Sequence, residues 1–171
     1  MSAVLPAAID PIRLADEGSS LQGTLPVRTM SRLREACRNP DAVVQVNLRF
    51  GRDANGRVMD GTVSACLQLT CQRCLGGLNE EVTARMHVIL LRAGESHSAL
   101  SDDADFMEVA ASVSLPELVE DELLLALTMT PRHPQGECRA PGTENADRAP
   151  ADGGPLSALA GLKAGDEISG S

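Results

Sequence analysis

Val44-Gln45-Val46-Asn47-Leu48-Arg49-Phe50 alternates apolar and polar residues without a break. Two later stretches do the same. Val63, Ala65, Leu67 and Leu69 alternate with Thr62, Ser64, Cys66, Gln68 and Thr70; Val82, Ala84, Met86, Val88 and Leu90 alternate with Thr83, Arg85 and His87. A period of two puts one side of each strand in a core and the other in a wetter setting, as in an antiparallel sheet. Asn55-Gly56 supplies a hairpin turn between the first two strands. Asp60-Gly61 reads either as a second turn or as a bulge in the second strand. The gap Cys71–Gly77 is short enough to make the second and third strands antiparallel neighbours.

Helical periodicity flanks this block. Val27, Met30, Leu33 and Cys37 form one apolar stripe over residues 27–38, with Arg28, Arg32, Arg34 and Arg38 turned away from it and Asn39-Pro40 as the stop. Downstream, Phe106-Met107-Glu108-Val109 reads as a fourth strand. A helix then spans about 114–128: Ser114 and Glu117 form a capping box, Pro116 sits in the first turn, and Leu115, Leu118, Val119, Leu123, Ala126 and Leu127 make the stripe. Glu117, Glu120 and Asp121 read as its solvated face. Residues 1–25 carry turn chemistry at Asp10-Pro11, Gly18 and Gly23 and read as an extended, partly packed arm. The fold class expected is α+β: an antiparallel sheet of three or four strands packed against one long helix, with a shorter N-terminal helix. Residues 1–138 would form a single domain. Residues 139–171 would form a flexible acidic extension, with a short docking segment near 155–163.

Charge and composition narrow the function. The 171 residues carry a formal net charge of −9. Residues 1–100 are near neutral at +1, whereas 101–171 carry −10. A surface of this sign is unsuited to sequence-independent polyphosphate binding. Two Phe and no Tyr or Trp disfavour aromatic platforms for single-stranded bases. The lack of an 18-residue apolar run excludes a membrane helix, and the apolar start meets Asp10 without a basic lead-in, so no signal peptide is expected. The expected location is cytoplasmic. There, five cysteines suggest metal or redox chemistry, or plain burial, before disulfides.

The best chemical motif is Cys71-Gln72-Arg73-Cys74, in the turn between two strands. Two intervening residues let both sulfurs point into one turn, as in a zinc knuckle. His133 and Cys138, with four residues between them, supply the other two ligands for a tetrahedral, structural Zn2+. The pattern is C-x2-C-x58-H-x4-C, and its long middle gap leaves room for other groups. Ordinary thiols remain the alternative for Cys71 and Cys74, and are the reading for Cys37 and Cys66. A thioredoxin-like role fits poorly, because Leu75-Gly76-Gly77-Leu78 leads into a strand and not a helix. His87 and His97 lack nucleophilic partners at recognisable spacing, and no GxSxG, HExxH or Gly-rich phosphate loop is present. No enzymatic activity is expected. Arg28, Arg32, Arg34 and Arg38 offer a local basic patch for RNA or a partner; a solvated helix face is the plainer reading.

Several stretches together resemble the YceD family of bacterial proteins, the large ribosomal RNA subunit accumulation proteins. The resemblance starts at Asp10-Pro11-Ile12-Arg13 and Leu21-Gln22-Gly23 and is sharpest at Leu69-Thr70-Cys71-Gln72-Arg73-Cys74-Leu75. It returns at Val119-Glu120-Asp121-Glu122-Leu123-Leu124-Leu125-Ala126-Leu127, at Pro131, His133 and Cys138, and in the tail from Gly154 to Lys163. Leu156 stands where the family's tail carries Phe, and the chain runs on past Lys163. The resemblance implies a non-enzymatic role in synthesis, processing or stability of large-subunit ribosomal RNA, with a large-subunit precursor, its RNA or a bound protein as partner. No membrane or small-molecule substrate is implied. Some family members lack the cysteine pair, which makes zinc a structural accessory and not the shared function. Two other readings stay open: a zinc-dependent RNA-processing hydrolase, and an acidic module that holds a basic ribosomal protein.

Overall fold

In the computed structural model, residues 4–54, 56–95 and 105–138 are described. The elements in chain order are β1 (Ala8–Ile9), α1 (Pro11–Glu17), β2 (Ser20–Pro26), a 3-10 turn (Val27–Thr29), α2 (Ser31–Ala36), β3 (Val43–Asp53), β4 (Gly56–Thr70), β5 (Gly77–Arg92), β6 (Phe106–Val109), β7 (Val113–Ser114) and α3 (Leu115–Ala126). The main sheet has five strands in the order β2-β3-β4-β5-β6, and β1 pairs with β7 in a second, two-stranded sheet. The joints from β2 to β5 are antiparallel. The last joint, β5 to β6, is parallel.

This corrects the expected architecture. The sheet is mixed and larger than the antiparallel one of three or four strands, and among the described residues no single long helix packs on it. Three short helices share the work instead. The physical reason is length. The 16 residues of β5 span about 50 Å at strand rise, while the 12 residues of α3 span about 18 Å at helical rise, so α3 alone leaves most of the apolar face uncovered. Ile12 and Ala15 of α1, Leu33 of α2, and Leu115, Val119 and Leu123 of α3 complete the cover.

The arm expected over residues 1–25 is also corrected, since it holds α1 and β2. Asp10 caps α1 by accepting from Arg13 N–H at 3.0 Å, Pro11 opens the first turn, and Gly18 closes the helix at φ 66°. Asp10-Pro11 and Gly18 are therefore the start and stop signals of a helix, while Gly23 lies within β2. The 27–38 stripe is buried as read, with Val27, Met30 and Leu33 at 0% exposure. Its segment is a 3-10 turn followed by the six-residue α2, broken at Met30.

The long strands follow their alternation. Val44, Val46, Leu48 and Phe50 face the core together with Val63, Ala65, Leu67, Leu69, Val82, Ala84 and Met86. Asp60-Gly61 is neither turn nor bulge. Asp60 pairs with Arg49 and Gly61 with Leu48, in unbroken register with the rest of β4. Glycine is needed at 61 because a Cβ there would lie 2.1 Å from the Asn47 carbonyl oxygen. The hairpin before β4 forms with Asp53 opposite Gly56. The extension expected over 139–171, with its segment near 155–163, lies outside the described residues, as do Asn55 and His97.

A candidate metal centre

The loop between β4 and β5 is tied by its own backbone. Cys71 N–H donates to the Gly76 carbonyl at 2.9 Å, and Leu75 N–H donates to the Cys71 carbonyl at 2.9 Å. Leu75 takes a left-handed conformation, φ 60°. These bonds curl the loop so that the Cys71 and Cys74 thiols share one side. A second segment, following α3, is fastened to it: Gln72 N–H donates to the Pro131 carbonyl at 2.9 Å, and His133 Nε2 bonds the Gly77 carbonyl at 3.0 Å.

One donor atom each from Cys71, Cys74, His133 and Cys138 lies within 4.8 Å of every other. Thus the long gap in the sequence pattern closes in space. The Sγ atoms of Cys71 and Cys138 are 3.7 Å apart, and Cys74 Sγ lies 3.4 Å from His133 Nδ1. A tetrahedron with metal–sulfur bonds of about 2.3 Å and metal–nitrogen bonds of about 2.0 Å has S···S edges of about 3.8 Å and S···N edges of about 3.5 Å. The donor set therefore has the span of a divalent ion's coordination sphere.

The orientation of the imidazole fits as well. A carbonyl only accepts, so Nε2 carries the proton in the bond to Gly77 and the neutral ring leaves the Nδ1 lone pair facing the thiols. Such a bond from the second ring nitrogen is what fixes the tautomer of a metal-binding histidine. Cys71 is fully buried, while Cys74, His133 and Cys138 are half-buried.

The protons on this cluster are unevenly held. Burial pushes the Cys71 thiol up, but the backbone amides of Cys74, His133 and Arg73 and the Cys74 thiol outweigh it and bring it down to about 5. Cys138 is pushed up to about 11 by burial, by its contacts with Cys74 and Cys71, and by their negative charge. His133 is raised by its hydrogen bond to Cys71, then by the Gly77 carbonyl. Without a cation the cluster thus favours a thiolate at Cys71 and opposes one at Cys138. A divalent ion removes that repulsion, and its uptake releases protons.

The four arginines do not form a patch of equal members. All are exposed, but Arg32 is committed to Glu120 at 3.0 Å and to Asp121 at 2.5 Å. Glu120, read as part of a solvated face, is 2% exposed. It also accepts from Leu33 N–H at 2.9 Å and so joins α3 to the start of α2. The remaining thiols divide: Cys37 is buried at the end of α2, and Cys66 is exposed on β4.

The sequence reading missed the supports of the site: the Gly77 and Pro131 carbonyls and the left-handed Leu75. The doublet Gly76-Gly77 was the available signal. Cys74 Sγ would stand 3.4 Å from a Cβ on Gly76, and the Gln68 amide 3.3 Å from one on Gly77, so larger residues would press on the loop.

Residues 59–163 match the family model described as large ribosomal RNA subunit accumulation protein YceD. The chain belongs to the YceD family. It is 30% identical over 148 residues to the large ribosomal RNA subunit accumulation protein YceD of Haemophilus influenzae, an alignment covering 82% of each chain. No solved structure matches it. The family match spans all four donors of the cluster but begins inside β4, so α1, α2, β2 and β3 lie outside it.

Proposed function

We propose that the chain acts in the cytoplasm in the accumulation of large-subunit ribosomal RNA, without catalysing a reaction, and that Cys71, Cys74, His133 and Cys138 hold a structural Zn2+. The similarity across most of both chains to a YceD protein supports the role in ribosomal RNA accumulation. The closed Cys3His donor set supports the structural Zn2+. Zinc suits three thiolates and one imidazole, and it would bind the β4–β5 loop to the segment after α3. Four protein donors fill a tetrahedral sphere and leave no position for an activated water. That favours a structural role over the hydrolase alternative.

The partner is more readily a protein on the ribosomal precursor than bare RNA, given the net charge of −9 and the two Phe. Two experiments test the reading. Removing the chain from its host is expected to lower large-subunit relative to small-subunit ribosomal RNA; an unchanged ratio contradicts the role. Purified protein is expected to bind naked ribosomal RNA weakly, with shallow salt dependence. Cleavage of that RNA, lost in Cys71→Ala, would turn the reading to the hydrolase.

A further inference from the structure

The two edges of the main sheet are finished differently. On the β2 edge, Val4 bridges Thr24 and Leu5 N–H donates to the Thr24 carbonyl. Among the described residues the β5 side is covered only in part. β4 pairs with β5 along Gly77–Leu90, but the four-residue β6 pairs only with Ile89–Arg92. Ile89 N–H donates to the Asp105 carbonyl and Ala93 N–H to the Val109 carbonyl, both on the β6 side. Backbone groups alternate in direction along a strand, so those of Glu81, Thr83, Arg85 and His87 point the same way, past the end of β6. Among the described residues no strand meets them there. The near end is closed, because His133 takes the Gly77 carbonyl.

A groove of about 320 Å³ runs beside this edge, between β5, the start of β6 and α3. Its apolar wall includes Phe106, Leu118 and Leu125, the last of these 82% exposed. Asp105, Asp121 and Glu122 supply negative charge; Arg85 and His87 lie at the strand side. Of these, Asp121 is engaged by Arg32 and His87 by Asp60. The Glu122 carboxyl is pushed up first by burial and then by Asp105 and Asp121.

We propose that the β5 edge from Glu81 to His87 receives an extended, Lys/Arg-rich polypeptide segment by strand addition. Main-chain bonds to the four alternate residues would hold the segment in register. Its basic side chains would meet Asp105 and Glu122, and its apolar ones Leu118 and Leu125. A basic extended segment is what a protein seated on ribosomal RNA presents, since phosphate neutralisation calls for Lys and Arg. The inference extends the proposed role to the chemistry of its partner. It is independent of the metal, and the test below reads the edge directly, so its failure leaves the ribosomal RNA experiment untouched.

The full chain should be titrated with a peptide of about ten residues whose α3-facing positions carry Lys and Val in turn, with Thr between them, and with its counterpart that has Glu for Lys, while amide hydrogen exchange is followed by residue. The Lys-Val peptide is expected to slow exchange at Thr83 and Arg85 by at least about tenfold, with no effect on β2. Thr83→Pro removes one edge donor without touching the β4 ladder and should abolish the protection. Asp105→Lys with Glu122→Lys should weaken binding of the Lys-Val peptide and admit the Glu-Val one. The proposal is overturned by equal protection by both peptides in the parent chain, by binding that survives Thr83→Pro, or by protection of these amides by an RNA oligomer and not by peptide. Protection that grows with protein concentration alone also overturns it, assigning the edge to a second copy of the chain.

Discussion

Glu120 shows how one buried carboxylate can join two helices. It accepts from Leu33 N–H at 2.9 Å and from Arg32 Nη2 at 3.0 Å, while only 2% of its surface is exposed. Glu120→Ala strands a buried amide, and should cost about 2–3 kcal/mol in denaturant unfolding. Glu120→Gln keeps an acceptor and should cost less. Arg32→Ala should cost least, because that side chain is 54% exposed. A null effect of Glu120→Ala would show that the link between α2 and α3 is dispensable. Gly61→Ala is a second test at this scale. Its Cβ would lie 2.1 Å from the Asn47 carbonyl oxygen and 2.9 Å from Leu48 Cα, neither of which can yield without moving β3. A loss of about 3 kcal/mol or more is expected in the same measurement. Sequence reading failed at both residues for one reason. Which side of a short helix is covered, and how closely two strands approach, depend on neighbours far away in the chain.

At the scale of elements, period-two alternation made β3, β4 and β5 legible, and the Ser114 capping box made α3 legible. Asp10-Pro11 and Gly18 were visible too, but N-cap and turn chemistry use the same residues, and α1 has only seven residues in which a period could show. The direction of β6 was not legible. A chain leaving β5 at Arg92 and entering β6 at Phe106 can return along either sense, and only the packed structure decides. One prediction belongs to the β4–β5 pairing. His87 and Asp60 sit opposite each other, and the Asp60 carboxylate, by hydrogen bond and charge, raises the His87 pKa, with Asp53 and Asp105 adding smaller effects. A raised histidine stabilises the fold fully below its unfolded pKa, about 6.5, and the contribution is lost as pH rises through the folded value. The pair is half in solvent, so the effect on stability is small. Proton NMR titration should place the His87 midpoint above that of a free histidine, and Asp60→Asn should bring it back. A midpoint unmoved by Asp60→Asn would contradict the pairing.

For the whole molecule, the paired spacings Cys71–Cys74 and His133–Cys138 were readable, whereas their meeting was not. Fifty-eight residues separate the two pairs, and among them lie β5, β6, β7 and α3. Their convergence depends on α3 returning the chain to the turn between β4 and β5. A metal at this place would tie the two segments together, and its removal by chelator should lower Tm by roughly 5–10 °C, while leaving Cys71→Ala insensitive to chelator. The most direct measurement is X-ray absorption at the zinc edge on the purified full chain. Three sulfurs at about 2.3 Å and one nitrogen at about 2.0 Å are expected, falling to two sulfurs in Cys138→Ala. A chain that takes up no zinc, or a zinc that carries an oxygen in place of one of these four donors, would contradict the closed structural centre.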